Sequence, residues 1–390
     1  MVCGQRELMP TVFLSAGEPS GDLHGANLCR ALKHAAPQVH LVGFGGPRMH
    51  QAGCQILYPL THLAVMGIWR VFQHFHRFLA LLSQADRWLQ RHRPDAVVLI
   101  DYPGFNWWLA RRAHRLGIPV FYFVPPQIWA WASWRVAKMR RWVDHVLCNL
   151  PFEEAWYRAR GVQAQYIGHP YFDELAQQQL DTTFIQEQKK RSGTIVGLLP
   201  GSRHQEVVNN FPTLLRTALR LQRQLPDVRF LIACYREEHR QKVLRCLQGH
   251  DVPIEAYTGR TPEIIFLARA CVAVSGSVSL ELLHRACPTV VVYRVGRFGL
   301  RIGRRLIRSP YITLVNLLAG EELYPEFLTD RCESRAIAEQ VKKWLTDEGA
   351  YRSLVKRLEE LRAEVGKAGA CRRAAELICQ VFGRKHRQAA

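Results

Sequence analysis

The chain has 390 residues, 48% apolar and 22% charged, enough for two domains of ordinary size and without a low-complexity tract. Lys and Arg total 53 against 33 Asp and Glu, a formal charge of +20. That surplus implies an anionic partner (nucleic acid, a phosphate-bearing substrate or an acidic membrane) unless it reflects only a lineage that favours Arg. The 11 cysteines include no Cys-x-x-Cys pair, which argues against a disulfide framework or zinc site and fits a reducing cytoplasm. No run approaches the ~20 apolar residues of a membrane span, and the first ten residues lack the apolar core of a secretory signal.

Strand and helix signals alternate throughout, the pattern of parallel sheets covered by helices. In the first half, strands are expected at 11–16, 39–44, 96–101, 119–124 and 145–149, and helices at 22–35, near 46–53, 70–92, 105–116 and 135–141. In the second half, strands are expected at 195–199, 228–233, near 254–257, 271–275 and 289–293. Helices there are expected at 204–225, 236–248, 261–269, 278–285, 334–346 and 350–383. The polar stretch between Asp173 and Gly193 marks the boundary. The expected division is 1–180, 181–350 and 351–390, the last a long helix with a basic tail, able to cross back onto the first domain.

One sentence is written twice: an apolar strand, a glycine turn, then a helix. The first copy holds Gly17, Ser20, Gly21 and Asp22; the second holds Gly201, Ser202, Arg203 and Glu206. Each starts an α/β half, so the pair reads as two nucleotide-fold domains facing a cleft. In the second copy Gly201 permits a tight turn, Ser202 can cap the helix, Glu206 suits its first turns, and Arg203 can add a bidentate phosphate contact. Exposed N–H groups at the helix start favour a phosphate; the alternative is a plain capped helix. Ser275, Gly276 and Ser277 form another strand-end loop in the same half, and Glu281 lies one turn into the next helix, where it can accept from a ribose diol.

In the first half, Asp101 ends an apolar strand, where partial burial raises a carboxyl toward the range of a general base. A turn or helix-cap role is the alternative. Asn106 can bond a substrate or cap the next helix. Trp129, in a Trp-Ala-Trp loop after two prolines, either plugs a domain interface or lines an apolar acceptor site. Phe72 and Phe75 belong to the apolar stripe of an Arg-rich helix, and Trp69 and Phe78 widen it; such a helix can lie in a membrane interface, or else simply pack on its sheet. No Asp-x-Asp and no His-Glu-x-x-His occurs, so neither a metal nor a cofactor is expected.

Ten stretches, taken in order, resemble the lipid-A-disaccharide synthases, inverting glycosyltransferases of the two-domain GT-B fold. They are Ala16–Asp22, Gly45–Met49, Leu63–Gly67, Asp101–Asn106, Trp129–Trp131, Leu150–Glu153, Ile167–Pro170, Leu199–Arg203 with Glu206, Ser275–Gly276 with Leu280–Glu281, and Asn316–Gly320. Pro19, Pro125, Ser277 and Gly104 depart from the family's usual residues; Gly104 bears on the acceptor loop. The resemblance covers about Thr11 to Phe382.

It implies transfer of 2,3-diacylglucosamine from UDP-2,3-diacylglucosamine to the 6-hydroxyl of 2,3-diacylglucosamine 1-phosphate (lipid X), giving the β-1,6 disaccharide and UDP. Asp101 would be the base, Arg203 would stabilise departing UDP, and Asn316 matches a position implicated in catalysis. His169 joins the substrate-binding set. An anionic inner-membrane surface, met from the cytoplasm, would be a partner; nucleic acid would not, and a homodimer is left open. The competing readings are a peptidoglycan-type UDP-N-acetylglucosamine transferase or a UDP-sugar 2-epimerase on the same fold, and a basic nucleic-acid-binding protein.

Overall fold

Near-continuous apolar runs form strands buried on both faces, and amphipathic runs form the helices that cover them. The computed structural model describes residues 9–61, 75–250, 252–274, 276–296 and 309–389, the side chains of 75–77 and 382–389 excepted. The chain forms two compact units. One takes the residues up to Ala176 together with those from Lys367 onward; the other is Gln177–Gly366.

In the first unit, strands β1 (Thr11–Ala16), β2 (His40–Phe44), β3 (Gln55–Tyr58), β4 (Ala96–Ile100), β5 (Val120–Phe123), β6 (His145–Cys148) and β7 (Ala164–Tyr166) form one sheet. Their order is β3-β2-β1-β4-β5-β6-β7, and each neighbouring pair is parallel. The period of two sorts its side chains. Phe13, Val97 and Leu99 enter one core with Phe105 and Tyr122; Val12, Leu14, Val98 and Ile100 enter the other with Leu28. The helices are α1 (Pro19–Ala35), α2 (Pro47–Gln51), α3 (Phe75–His92), α4 (Pro103–Arg115), α5 (Ile128–Trp131), α6 (Val136–Trp142), α7 (Pro151–Arg158) and α8 (Tyr171–Gln177).

The second unit holds β8 (Thr194–Leu199), β9 (Val228–Cys234), β10 (Ile254–Thr258), β11 (Ala270–Val274), β12 (Thr289–Arg294) and β13 (Glu326–Thr329). Their order is β10-β9-β8-β11-β12-β13, again parallel. Its helices are α9 (Thr182–Lys189), α10 (His204–Gln224), α11 (Glu237–Leu247), α12 (Thr261–Leu267), α13 (Val278–His284), α14 (Leu314–Ala319), α15 (Ser334–Thr346) and α16 (Glu348–Val365). Both units are Rossmann-like.

The single helix expected over 350–383 is two helices. After α16 the chain turns at Gly366–Gly369, where Gly369 has φ +96°, and continues as α17 (Ala370–Ala389) in the first unit. There Cys371, Ala374, Ala375 and Ile378 are buried in one core with Leu28 and Leu32 of α1; full burial of Ile378 alone is worth about 1.5–3 kcal/mol. Asp173 of α8 fixes the helix start, accepting from the backbone N–H of Ala370 at 3.1 Å and Cys371 at 2.8 Å, and from that of Gly369. Three strands went unread: β3, β7 and β13, each short and each at a sheet edge.

Asp173→Ala should therefore leave three helix-start N–H groups without their acceptor, at a cost of about 2–3 kcal/mol. A lower urea midpoint, with early proteolytic loss of α17, is the expected reading; an unchanged midpoint would deny the cap its role.

Candidate active site

Open parallel sheets present ligand sites at the carboxyl edge where strand order reverses. In the first unit that reversal separates β1 from β4, and the register pairs Ala16 with Ile100. Gly17 and Asp101 therefore leave neighbouring strands side by side. Asp101 and Tyr102 both have φ +45°, a left-handed conformation that costs an L-residue about 1–2 kcal/mol. Side chains hold it in place. The Asp101 carbonyl accepts from Asn106 Nδ2 at 2.7 Å and from the Tyr122 hydroxyl at 2.8 Å. The Tyr102 ring so closely covers Gly17 that a Cβ there would lie 2.1 Å from it. Burial, then the nearby Glu18 charge, pushes the Asp101 carboxyl up to about 6, against the opposing pull of the Tyr102 backbone hydrogen bond.

Several expected substrate contacts turn out to hold the protein's own loops. Asn106 is fully buried. Besides the Asp101 carbonyl it donates to the carbonyls of Ser15 and Ile100, each at 3.3 Å, and accepts from Ser15 Oγ at 2.7 Å. It joins β1 to β4 and has no group turned to a ligand. Asp22 is buried and accepts from the backbone N–H of Gly46 (2.9 Å), Arg48 (3.1 Å) and Met49 (3.1 Å), so it orders the start of α2. Gly21 is buried beneath the start of α1, while Ser20 is exposed.

His169 is buried; its Nδ1 accepts from the Tyr171 N–H at 3.2 Å, and its ring stands edge-on to His24 at 6.0 Å. Desolvation holds His24 down at about 4, and desolvation with His24 beside it holds His169 at about 3. Both are neutral at ordinary pH. Trp129 is half-buried, its indole N–H donates to Glu153 at 2.9 Å, and its ring meets Phe152 edge-on. Glu153 also accepts from the N–H groups of Asn149 and Leu150; burial nevertheless pushes it up to about 7.

In the second unit the reversal lies between β8 and β11, so the loops after Leu199 and Val274 emerge together. Gly201 has φ +110°, and a Cβ there would lie 2.7 Å from Glu206. The Glu206 carboxylate accepts from the backbone N–H of Ser202 (3.0 Å) and Arg203 (3.1 Å) and pairs with the Arg203 guanidinium at 3.0 Å. Those two N–H groups, expected to face a phosphate, therefore face Glu206, and Ser202 precedes the helix cap rather than supplying it. The Arg203 side chain, 76% exposed, keeps donors toward solvent.

Ser275 lies outside the described residues. Gly276 has open space where a Cβ would stand, and its carbonyl accepts from Ser279 N–H and Oγ. Ser277 is exposed. Glu281 is buried and accepts from Gln178 Nε2 at 3.2 Å; Gln178 in turn accepts from Arg285 at 3.0 Å.

Asn316, which the resemblance matches to a position implicated in catalysis, is an anchor in this structure. It is fully buried, donates to the Tyr324 carbonyl (2.7 Å) and Glu326 (2.8 Å), and accepts from Leu323 N–H (3.0 Å) and Tyr324 N–H (2.8 Å). All its bonding capacity goes to the loop after α14 and the first residue of β13. Of the aromatic stripe, Trp69 and Phe72 lie outside the described residues, as does the Phe75 side chain. Phe78 is half-buried and packs edge-on against Phe105 at 5.3 Å, which makes it part of the core.

Sequence reasoning missed Tyr122, Glu153 as an anchor, and Gln178. Tyr122 carried a signal: a hydroxyl inside an apolar parallel strand needs a buried partner.

Two Rossmann-like units, each with its polar loops gathered at a strand-order reversal, define the class: a two-domain α/β protein of the GT-B fold. Solved structures share the fold. A Staphylococcus aureus MnaA-UDP co-structure matches with TM-score 0.63 at 12% identity, covering 94% of this chain and 95% of that one. The calicheamicin glycosyltransferase CalG4 matches with TM-score 0.62 at 14% identity, covering 96% and 99%. The model of the family described as lipid-A-disaccharide synthetase matches residues 12–381. The lipid-A-disaccharide synthase of Trichlorobacter lovleyi is 36% identical over 371 residues, 94% of this chain and 96% of the relative. That of Myxococcus xanthus is 35% identical over 376 residues, 96% and 98% of the two chains. The chain belongs to the lipid-A-disaccharide synthase family of glycosyltransferases.

Asn316→Ala would take the side-chain partner from the Tyr324 carbonyl and from two backbone N–H groups in a buried site, a loss of about 3 kcal/mol. A fall in thermal midpoint that accounts for the lost activity is expected; a stable, inactive variant would restore Asn316 to the chemistry.

Proposed function

We propose a division of labour for the lipid-A-disaccharide synthase reaction in this chain, with Asp101 as general base. Its carboxylate takes the proton of the lipid X 6-hydroxyl as that oxygen attacks C1 of UDP-2,3-diacylglucosamine. The new C–O bond forms as the bond to the diphosphate breaks, with inversion, and UDP leaves. The observation that carries this reading is the position of Asp101: a left-handed residue at the strand-order reversal, with its carboxyl raised to about 6. A base with that value is largely ionised near neutrality and retains more basicity than an ordinary carboxylate.

The donor falls to the second unit. The exposed Arg203 guanidinium would neutralise departing UDP. Gly276, with open space above its backbone, admits the close approach of a nucleotide, and Glu281 supplies a carboxylate for the ribose. With Ser202 and Arg203 N–H groups satisfied by Glu206, the guanidinium rather than the helix start bears the diphosphate charge.

Both substrates carry acyl chains and negative charge, so the chain would work as a peripheral protein on an anionic surface, the cytoplasmic face of the inner membrane. The charge of +20 supports this. So do Trp131 and Trp134, 45% and 68% exposed, with the Arg135 guanidinium 4.6 Å and 6.0 Å from their ring centroids. Aromatic rings beside a cation suit the headgroup region. Among the described residues no helix is long and apolar enough to cross a membrane.

Asp101→Asn should reduce kcat by about 10²–10⁴-fold while calorimetry finds UDP affinity within about threefold; wild-type turnover would remove Asp101 as base. In the wild type, protonation silences the base, so kcat/KM should be level above about pH 6 and fall tenfold per unit below it. A profile flat to pH 5 would contradict the assignment. Replacing Trp131 and Trp134 by Ser should weaken co-sedimentation with phosphatidylglycerol vesicles without lowering the thermal midpoint. Undiminished sedimentation would move the docking surface elsewhere.

A further inference from the structure

Asp101 reaches its position by a backbone route that most residues avoid. Neither Asp101 nor Tyr102 is glycine, yet both have φ +45°. Left alone, this pair would relax toward the right-handed or extended region and swing the carboxylate away from the reversal point. Two buried donors oppose that relaxation from different elements. Tyr122, fully buried on β5, donates from its hydroxyl to the Asp101 carbonyl at 2.8 Å. Asn106, fully buried on α4, donates to the same oxygen at 2.7 Å. The pairing of Leu99 with Tyr122 and of Ile100 with Phe123 fixes the tyrosine ring beside the end of β4.

We infer that Tyr122, acting with Asn106, is a positioning residue of the transfer reaction: its hydroxyl clamps the left-handed Asp101–Tyr102 step and so aims the Asp101 carboxylate. The inference rests on the assignment of Asp101 as base. Tyr122 does not touch the reacting atoms, because its hydroxyl is turned to a backbone carbonyl. Its effect must pass through Asp101, and this separates it from a residue that merely stabilises the fold. The ring already fills its core position as Phe would. The hydroxyl is the only polar atom of this side chain; it donates to the Asp101 carbonyl and is also hydrogen-bonded with Asn106, the other member of the clamp.

The test is a double-mutant cycle of Tyr122→Phe with Asp101→Asn, read in kcat, in KM for each substrate and in thermal midpoint. Tyr122→Phe alone should lower kcat about tenfold, with each KM within about twofold of wild type. In the Asp101→Asn background it should change the residual rate by less than twofold, since there is no base left to aim. Equal fold-losses in the two backgrounds would overturn the inference, as would wild-type kcat in Tyr122→Phe while Asp101→Asn is inactive. Wild-type turnover in Asp101→Asn would instead refute the base assignment, and the clamp with it. If Tyr122→Phe does not fold, Asn106→Ser, which removes the other donor, goes through the same cycle with the same expectations.

Discussion

Everything at the strand-order reversal of the first sheet depends on one strained step, the two left-handed residues that follow β4. A chain that turns this way without glycine needs its neighbours to fix it, and the neighbours here are two buried side chains aimed at one carbonyl. The demand spreads outward. Because Tyr102 follows the turn, its ring lies over the end of β1, and only glycine fits at position 17. Because Asn106 must reach three carbonyls and Ser15, α4 has to start close to the reversal point. A motif that reads as a string of substrate contacts is, to a large extent, the apparatus for one carboxylate.

The same device recurs at four other polar loops among the described residues. Asp22 gathers the start of α2, Glu153 gathers Asn149 and Leu150 with the Trp129 indole, Glu206 gathers Ser202 and Arg203, and Asn316 gathers the segment around Tyr324. Loops cannot satisfy their backbone through a ladder, so a buried acceptor does it instead. Such loops are ordered before any substrate arrives, which lowers the entropic cost of assembling a site.

This explains where the sequence was legible and where it was not. The central strands were readable because full burial writes an uninterrupted apolar run, as in Ala96–Ile100. The place of Asp101 at a strand end was readable because it follows such a run at once. Edge strands β3, β7 and β13 were not, since a short strand flanked on one side needs little apolar sequence. The break at Gly366–Gly369 was hidden by helical spacing on both sides of it. For Asn106, Asp22 and Asn316, residue type reveals that a polar group needs partners, and only the fold reveals that most of those partners are backbone atoms of the same unit.

The titrating groups of the first unit pull its stability in opposite directions. Asp101 and Glu153 have carboxyls raised from 3.8 to about 6 and from 4.5 to about 7. The unfolded chain loses those protons first, so their effect is to lower stability as pH rises through that interval. His24 and His169 are lowered from 6.5 to about 4 and about 3. Here the unfolded chain holds more protons, so stability rises with pH up to about 6.5. Over the shared window, between about 4.5 and 6, the two slopes oppose each other, two groups against two. Protonation of Asp101 can then occur within a folded unit, so the pH dependence expected of the proposed base is separable from loss of the fold.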